Sequence, residues 1–485
     1  MTPEALIGAA FATPIAGAAA IAALGRAPNL REAATLATAA ALFLLVLALT
    51  QSVLAGERPA LMLVEMMPGL ALRFEIEPLG MLFGLVASGL WIVNSIYSMG
   101  YMRANGEAHQ TRFYVCFALA LASTIGIAFA GNLLTLFVFY EALTLVTYPL
   151  VTHSGTAEAR RAGRTYIGVL VGTSILFLLI AIVWTFEIAS TVEFRSGGIL
   201  GPDLDRATLA ALLALYVFGI GKAAVMPVHR WLPAAMVAPT PVSALLHAVA
   251  VVKAGVFCVI KIVVYVFGTE TLGRADAAAW LPYVAGFTIL AASVVALRSN
   301  NLKRRLAYST VRQLSYVVLA TALLAPLSIV GAALHVAAHA VGKITLFFAA
   351  GAIYTAAHKT EVSQLDGIGR RMPWTMGAFA VGALSMIGLP PAAGFVSKWY
   401  MLQGALAASQ WVAFGVITLS TLLTAAYFVP IVYRAFLVRA PAGEHVHGEA
   451  PWTMVLALTA TAAATVFLFF QPAVPLALAR ALAGS

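Results

Sequence analysis

Apolar stretches long enough to cross a lipid bilayer follow one another along almost the whole chain. A membrane-spanning helix needs about 20 apolar residues, and the chain contains about fourteen such segments, which we number span 1 to span 14. Their approximate ranges are 5–24, 33–54, 78–101, 113–130, 132–152, 165–189, 207–236, 240–268, 276–297, 305–324, 327–356, 373–408, 411–437 and 452–479. Helices satisfy their backbone groups within each segment, and strand-like alternation is absent. The sequence therefore predicts an all-α polytopic membrane protein with about 14 transmembrane helices.

The shortage of charged residues excludes a soluble globular protein. Only 10% of the residues are charged and 62% are hydrophobic, whereas a soluble domain has about a quarter of its residues charged. The acidic segment 59–77 is predicted to form a short extramembrane hairpin. No basic residue precedes the first apolar run, so this run is predicted to be a span and not a cleaved signal. Cys116 and Cys258 lie inside apolar runs and are predicted to be small apolar fillers.

Arginine and lysine are distributed unevenly between alternate loops. If the N-terminus lies outside, the cytoplasmic loops contain most of the loop arginines and lysines, including the clusters at 160–164, 303–305 and 370–371. Cytoplasmic loops of membrane proteins carry an excess of these residues. We therefore expect both termini on the outer side of a bacterial inner (plasma) membrane. The formal net charge of +10 then reflects topology rather than nucleic-acid binding.

A small set of basic residues remains inside the predicted spans. They are Lys222, Lys253, Lys261, Lys343, Lys398 and Arg312. A charged side chain at the bilayer centre costs about 2.5–3.5 kcal/mol on insertion scales, so such residues indicate function. Most of the 19 acidic residues lie in loops or at span ends, and Glu141 is the one deep inside a span. Snorkelling to the membrane surface is predicted for Arg312 and is an equal alternative for Lys261.

Span 11 carries three ionisable residues on one helical face. His335, His339 and Lys343 are spaced four residues apart, and residues at this spacing are neighbours along a helix. Imidazole titrates near neutral pH, and a buried lysine changes its protonation state readily. The triplet therefore predicts a proton relay through intervening water. The alternative is that each side chain only hydrogen-bonds a neighbouring helix.

Two further groupings depend on the tertiary structure. Glu141 beside a lysine could form a switch, because moving the carboxylate away favours release of the proton from the lysine. The alternative is a static buried pair, and the partner lysine is left open. His247 and Lys253 are six residues apart, which places them about 240° apart on a regular helix. They join one path only if span 8 is distorted or if they face different neighbours.

Prolines interrupt two of the spans that carry lysines. The segment GKAAVMPVHRWLP of span 7 begins beside Lys222, and the segment SMIGLPPAAGFVSKWYML of span 12 contains Lys398. Proline breaks a helix, and broken helices at membrane depth line wet cavities. Paired interrupted helices indicate inverted repeats around a transport site, so spans 4–8 and 9–13 are predicted to be the repeats. The predicted helix breaks are at Pro227, Pro233, Pro390 and Pro391.

Five motifs identify a family resemblance that extends over about residues 113 to 440. They are FYEALTL, GKAAVMPVHRWLPAAMVAPTPVSALLHA, AYSTVRQLSYV, HVAAHAVGKITLFF and GLPPAAGFVSKW. With them the chain resembles the antiporter-like subunits shared by respiratory complex I, membrane-bound hydrogenases and Mrp-type cation/proton antiporters. The resemblance implies fourteen core helices with two inverted five-helix repeats and broken helices 7 and 12. The expected divisions are an N-terminal three-helix segment (1–112), two repeats (113–268 and 269–440) and a C-terminal helix (441–485).

The resemblance also implies roles for individual residues. Glu141 is similar to the glutamate of the family's fifth helix, and Lys222 to its partner lysine on the broken seventh. The linking position on the eighth helix is His247 with Lys253. The central polar chain on the eleventh helix is His335, His339 and Lys343, and Lys398 is the terminal lysine on the twelfth. The implied mechanism is proton uptake through one half-channel, lateral transfer along a central polar axis and release through the other.

Three departures from the family pattern narrow the prediction. Arg312 replaces a small polar residue usual in the tenth-helix motif. Lys398 is glutamate in some complex I paralogues, and the chain ends at Ser485 without the long lateral helix of the largest paralogue. The last two features favour a D-type subunit of a Mrp-type Na+/proton antiporter. The alternative is a proton-pumping membrane subunit of a redox-driven complex, either an NADH:quinone oxidoreductase or a membrane-bound hydrogenase.

The chain alone is predicted to be one subunit of a transporter, not an enzyme. It contains no nucleotide-binding loop, cysteine cluster or haem motif, so no cofactor or metal is predicted. The expected partners are other integral membrane subunits, protons and Na+, with the lipid bilayer around them. A non-conducting structural role is disfavoured by the set of ionisable residues inside the spans.

Overall fold

A computed structural model describes residues 2–67, 70–440 and 447–484, and most of this part of the chain is helical. Eleven of its helices are long and apolar enough to cross a membrane, and three shorter apolar helices accompany them. Each of the fourteen predicted spans contains at least one helix. The predicted all-α polytopic membrane fold is confirmed. The division into two inverted repeats stays a prediction.

The helix bounds follow the predicted spans closely. Spans 1 to 6 are Pro3–Ala23, Pro28–Leu54, Pro78–Ala104, Gln110–Ala128, Leu133–Val151 and Ala157–Ala189. Spans 7 to 11 contain Arg206–Gly219, Thr240–Phe267, Leu281–Arg298, Leu302–Ala322 and Pro326–Ala357. Span 12 consists of Pro373–Ile387 and Ala393–Ala407, span 13 of Trp411–Leu437, and span 14 of Trp452–Phe470 and Ala473–Ala483. Span 6 begins earlier than predicted because the side chain of Thr156 caps its first turn.

The acidic segment before span 3 forms the predicted hairpin. Strand β1 (Ala60–Met67) pairs with strand β2 (Leu70–Glu75) in an antiparallel ladder. The backbone N–H of Glu75 donates to the carbonyl oxygen of Phe129 at 2.8 Å, just after the end of span 4. The hairpin is therefore held against the loop between spans 4 and 5. Pro68 and Gly69 lie outside the described residues.

Spans 8 and 11 form the centre of the molecule. Span 11 is buried without interruption from Ser328 to Ile353, and span 8 from Thr240 to Val263. Spans 1, 2, 6 and 13 lie at the periphery, because only a third of their most apolar stretch is buried. The two central spans also carry most of the predicted ionisable residues. These groups therefore lie inside the protein and not against lipid.

Two spans are interrupted where prolines occur. The helix of span 7 ends at Gly219, and the chain then runs through short 3-10 turns to the four-residue helix Trp231–Ala234. Pro227 lies inside this interruption, whereas Pro233 lies within the short helix that follows it. The first helix of span 12 ends at Ile387 and the second begins at Ala393, with Pro390 and Pro391 between them.

A glycine of span 8 fixes how closely the interrupted part of span 7 approaches the core. A Cβ atom placed on Gly255 would lie 2.3 Å from the carbonyl carbon of Lys222 and 2.3 Å from the backbone nitrogen of Ala223. Only glycine allows backbone to approach this closely without movement. The position of Lys222 therefore depends on the missing side chain at residue 255.

We expect the substitution Gly255→Ala to destabilise the protein. Overpacking a filled interior costs about 1–3 kcal/mol, so the unfolding temperature of the purified assembly should fall. The matched control is Gly168→Ala in span 6, where a Cβ meets nothing within 4 Å. This control should leave the unfolding temperature unchanged or slightly raised, since alanine favours the helix. Equal unfolding temperatures for the two variants would contradict the close approach.

Candidate functional site

Lys222 lies in the interruption of span 7, where span 5 solvates its buried ammonium group. Its Nζ donates to the carbonyl oxygen of Tyr140 at 2.8 Å and to Oγ1 of Thr144 at 2.6 Å. The same atom lies 3.2 Å from the centre of the Tyr140 ring. The backbone N–H of Lys222 donates to the Tyr140 hydroxyl at 3.1 Å. One turn of span 5 thus supplies two oxygen acceptors and an aromatic face to the cation.

Glu141 follows Tyr140 in span 5, but its carboxylate is not bound to Lys222. Among the described residues Glu141 forms no ion pair, and its Oε1 is buried without a hydrogen-bond partner. The residue is half-buried, and Val138 and Leu145 on the same helix face are 38% and 57% exposed. The carboxylate therefore lies at the outer flank of span 5. The predicted partners occupy neighbouring positions without a closed pair.

A π-turn at Leu245–Val249 distorts span 8 between His247 and Lys253. The ring of His247 lies 4.9 Å from the ring of Phe347, and Nζ of Lys253 lies 2.6 Å from Nδ1 of His339. Both residues therefore face span 11, which meets the condition for a single path. Both ring nitrogens of His247 are buried without a hydrogen-bond partner in the described part of the chain.

The polar path continues along span 11 from His339 to His335. Their rings are parallel within 3° and their centres are 5.8 Å apart. His335 then contacts two further helices: its Nε2 lies 2.9 Å from Oε1 of Gln313, and its Nδ1 lies 2.8 Å from Oγ of Ser397. Span 11 thus connects span 8 with spans 10 and 12 through buried hydrogen-bonding groups.

The partners of His335 can satisfy the ring in either protonation state. Gln313 donates from Nε2 to the carbonyl oxygen of Met386 at 3.0 Å, so its Oε1 accepts from Nε2–H of His335. The Ser397 hydroxyl can donate to Nδ1 of a neutral ring. When the ring is protonated, the same hydroxyl can accept from Nδ1–H and donate to the carbonyl oxygen of Gly394 at 3.1 Å. This hydroxyl lets the site gain a proton without a lost hydrogen bond.

Lys398 lies at the interruption of span 12, where two backbone carbonyls are free of helix bonding. Its Nζ donates to the carbonyl oxygens of Ile387 at 2.6 Å and Met386 at 3.2 Å, and to Oγ1 of Thr421 at 3.2 Å. The last carbonyls of a helix have no intrahelical partner and carry partial negative charge. Since Gln313 also donates to Met386, these contacts link Lys253 to Lys398 through His339 and His335.

Lys343 forms a side branch of this path. It lies one turn beyond His339 on span 11, and its Nζ donates to Oγ of Ser309 at 2.8 Å. The hydroxyl of Tyr427 donates to the same oxygen at 3.2 Å. The three predicted residues of span 11 therefore share one helix face, as the spacing indicates, but they contact different neighbours.

The predicted snorkelling of Arg312 is wrong. Its side chain is completely buried and donates to the carbonyl oxygens of Ser420 at 3.0 Å and Met386 at 3.3 Å. The guanidinium carbon lies 5.2 Å from the ring centre of Tyr316. The carbonyl freed at the interruption of span 12 provides an acceptor inside the protein, so the side chain does not need to reach the surface.

Lys261 forms a buried ion pair that the sequence did not assign. Its Nζ lies 3.1 Å from Oε1 of Glu77 and donates to the carbonyl oxygen of Ala130 at 2.8 Å. Glu77 also caps span 3, because its carboxylate accepts from the backbone N–H groups of Leu79 and Gly80. The carboxylate is thus shared between a helix N-terminus and a buried lysine. This pair fixes the hairpin end of span 3 to span 8.

Sequence reasoning found the ionisable residues but missed the neutral groups that connect them. The missed residues are Tyr140, Thr144, Gln313, Ser397 and Ser309. Their only signal was a polar side chain inside an apolar motif next to a lysine or histidine, which helix periodicity alone does not assign to a contact. In the described ranges no group of three or more His, Cys, Asp or Glu side chains could hold a metal ion.

Taken together, these features define a polytopic membrane subunit with an internal chain of ionisable side chains. Residues 130–424 match the family described as NADH:quinone oxidoreductase/Mrp antiporter, transmembrane. The chain belongs to this family and is an antiporter-like membrane subunit. The resemblance inferred from the five motifs is confirmed.

Curated relatives come from both branches of the family. NADH-quinone oxidoreductase subunit N of Desulforudis audaxviator is 36% identical over 380 residues, covering 77% of this chain and 74% of that protein. A probable K(+)/H(+) antiporter protein of Rhizobium meliloti is 30% identical over 390 residues, covering 78% and 38%. NADH-quinone oxidoreductase subunit L of Mycobacterium tuberculosis is 31% identical over 403 residues, covering 81% and 62%. The chain thus spans less than two thirds of the last two relatives.

Two solved structures share the fold over essentially the whole chain. One is the Mrp complex from Dietzia sp., with 23% identity, a TM-score of 0.87 and coverage of 100% of this chain and 97% of that chain. The other is the membrane-bound sulfane sulfur reductase, an archaeal respiratory membrane complex, with 22% identity, a TM-score of 0.87 and coverage of 99% and 97%. At these identities the likeness shows the fold alone.

We expect Glu77→Gln to destabilise the protein strongly. Removing one partner of a buried ion pair leaves an uncompensated charge and costs about 3–5 kcal/mol. The matched control is Asp276→Asn, because Asp276 pairs with Arg206 where both side chains are mostly exposed. An exposed pair is worth about 0–1 kcal/mol. The measurement is the unfolding temperature of the assembly, and similar losses in both variants would contradict the structural role of Glu77.

Proposed function

We propose that this chain carries protons across the membrane as one subunit of a multisubunit complex. The observation that supports the proposal is the buried hydrogen-bonded path that links Lys253 to Lys398 through His339 and His335. Ionisable residues inside a membrane protein are expensive and mark ion and proton pathways. The proposed pathway residues are Glu141, Lys222, His247, Lys253, His335, His339, Lys343 and Lys398.

Lateral transfer would begin at the contact between Lys253 and His339. An ammonium group of Lys253 can donate to Nδ1 of His339, since the two atoms are 2.6 Å apart. Nε2 of His339 is buried without a partner in the described residues, so a water molecule there could pass the proton toward His335. The Ser397 hydroxyl accommodates the proton at His335. Lys398 then takes the terminal position, close to the interruption of span 12.

Glu141 and Lys222 would form the gate at the other end. The acceptors of Lys222 are neutral, so movement of Glu141 toward the ammonium group would stabilise the charged lysine and movement away would favour proton release. The unpartnered Oε1 of Glu141 supports a carboxylate that changes its contacts during transport. This gate is separated from Lys253, so a proton must cross from one to the other through water or by a rearrangement.

The outer flank of span 5 supports an assembly with other membrane subunits. A half-buried carboxylate at membrane depth is unfavourable against lipid, and Glu141 lies on a face with exposed Val138 and Leu145. A neighbouring membrane protein would cover this face and supply a polar partner. The related Mrp complex and the sulfane sulfur reductase are multisubunit complexes. We place the assembly in a bacterial inner membrane with both termini of this chain outside.

We propose further that the complex is a Mrp-type Na+/proton antiporter with this chain as a D-like subunit. Lys398, at a position where some complex I paralogues have glutamate, favours that assignment. The second candidate is a redox-driven proton pump, which the 36% identity to an NADH-quinone oxidoreductase subunit N favours. In either case the electron-transfer chemistry would belong to other chains.

The lateral path predicts that Lys253→Ala and His339→Ala each lower coupled proton flux at least tenfold. Each substitution removes one side of the contact between spans 8 and 11, and general proton-transfer groups contribute about 10²-fold or more to rates. Flux is measured as the pH change in vesicles that contain the whole complex. The control is His447→Ala, a histidine outside the spans, which should keep normal flux. Wild-type flux in an assembled Lys253→Ala complex would rule out the path.

The gate predicts that Lys222→Ala and Glu141→Gln abolish coupled flux while assembly is retained. Glu141→Asp keeps the charge and should retain part of the flux. The switch requires more than lost rate, because it also ties proton release to the carboxylate. The pH dependence of the residual flux in Glu141→Gln should therefore differ from wild type. An unchanged pH profile would refute the switch, and normal flux in Lys222→Ala would refute the gate.

The two candidate complexes are separated by purification and by the driving force. A Mrp-type antiporter predicts a preparation that contains only small membrane subunits and shows proton movement that depends on a Na+ gradient. A redox-driven pump predicts co-purifying dehydrogenase or hydrogenase chains and proton movement that starts with electron transfer. Loss of flux in Lys253→Ala is expected in both cases, so this test leaves the pathway itself unaffected.

A further inference from the structure

Span 10 begins with three consecutive cations, Lys303, Arg304 and Arg305, and has no acidic residue in its first turn. The N-terminus of a helix carries partial positive charge, so each cation there is unfavourable by about 0.3–1 kcal/mol. Such a first turn is expected to be compensated by acceptors or by a bound anion. The contacts of the three side chains show which of them have acceptors within the protein.

Two of the three cations have acceptors within the chain. Nζ of Lys303 donates to the carbonyl oxygen of Ala238 at 2.6 Å. Arg305 is buried and donates to the carbonyl oxygens of Ser299 and Tyr427, both at 2.8 Å. Arg304 differs, because its side chain is exposed and forms no ion pair or side-chain hydrogen bond among the described residues. Its guanidinium carbon lies 6.0 Å from the ring centre of Tyr308.

Arg304 lies between two adjoining cavities that each contain another exposed arginine. The first has a volume of about 470 Å³ and is lined by Arg304, Arg230, Tyr308 and Glu158. The second has a volume of about 370 Å³ and is lined by Arg304, Arg298 and Glu361. Neither Arg230 nor Arg298 forms an ion pair within the described ranges. We call Arg230, Arg298 and Arg304 the arginine cluster.

The carboxylates near the arginine cluster do not neutralise it. Glu361 accepts from Nδ2 of Asn301 at 3.1 Å and caps a short helical turn. Glu158 lies in the first turn of span 6, where a negative charge is favoured by the helix N-terminus. Three guanidinium groups thus face two carboxylates, of which at least one is used elsewhere. The cavities therefore favour an anion.

The surface next to the arginine cluster is apolar along the membrane direction. Arg298 is the last residue of span 9, and Val294 and Leu297, within the turn before it, are both 40% exposed. An exposed aliphatic surface below a group of arginines matches an acyl chain below a headgroup. Basic pockets between membrane helices bind anionic lipid headgroups, and the planar guanidinium group binds phosphate through two parallel hydrogen bonds.

We propose that the arginine cluster binds the phosphate of an anionic phospholipid, with an acyl chain against Val294 and Leu297. The site adjoins the interruption of span 7, because Arg230 directly precedes Trp231. The indole Nε1 of Trp231 donates to the carbonyl oxygen of Gly221 at 2.9 Å, next to Lys222. The bound headgroup therefore steadies the segment that positions Lys222.

Lipid binding to the purified, detergent-solubilised assembly tests this proposal directly. Phosphatidylglycerol and phosphatidylcholine are titrated separately, and bound lipid is counted by native mass spectrometry. The wild type should bind phosphatidylglycerol in preference to phosphatidylcholine. The double variant Arg230→Gln, Arg304→Gln should bind phosphatidylglycerol at least tenfold more weakly. Arg304→Lys, which keeps the charge but loses the planar fork, should fall between the two.

The matched control is Arg161→Gln, which removes an exposed arginine of span 6 that lines neither cavity and should leave binding unchanged. Equal phosphatidylglycerol affinity in the double variant and the wild type would overturn the site. Equal binding of both lipids to the wild type would also overturn it, as would displacement of phosphatidylglycerol by inorganic phosphate at similar concentrations. Because binding is measured without transport, failure of the proposed proton pathway does not affect this result.

Discussion

The structure depends on keeping lysine ammonium groups inside the protein without a carboxylate beside them. Lys222 and Lys398 are both buried, and neutral oxygens surround each of them. Burying an unpaired charge is costly, so the helices must deliver carbonyl and hydroxyl oxygens to these positions. The interruption of span 12 does this directly, because it frees the carbonyls of Met386 and Ile387. Span 5 does it for Lys222 through Tyr140 and Thr144.

The two halves of the polar path are built differently. From Lys253 to Lys398 the side chains contact one another or share an acceptor, and Met386 accepts hydrogen bonds from both Gln313 and Lys398. Between Lys222 and Lys253 the connection consists of backbone packing against Gly255. A rigid half beside a loosely coupled half suits a device in which one step controls passage. The control would lie at Lys222, where the carboxylate of Glu141 is close but unbound.

The periphery of the molecule supports this interior. The shared carboxylate of Glu77 ties span 3 to span 8 at the hairpin end. At the opposite end of these spans, span 10 begins with cations whose contacts hold the loops around Ala238 and Ser299. Both features fix the ends of helices whose middles contain π-turns and interruptions. Distorted helices of this kind need firm ends, because their own backbone hydrogen bonds are incomplete.

The sequence by itself determined the number and positions of the spans, because apolar length is a local property. It also determined which ionisable residues lie at membrane depth and where proline interrupts the helices. Only the tertiary structure decided the partners: Lys253 with His339, Lys261 with Glu77, and Arg312 with backbone carbonyls rather than the surface. These contacts join residues far apart in the chain, and two of them depend on local distortions, the π-turn of span 8 and the freed carbonyls of span 12. Periodicity assumes a regular helix, so it could place each side chain on a face but could not identify what that face meets.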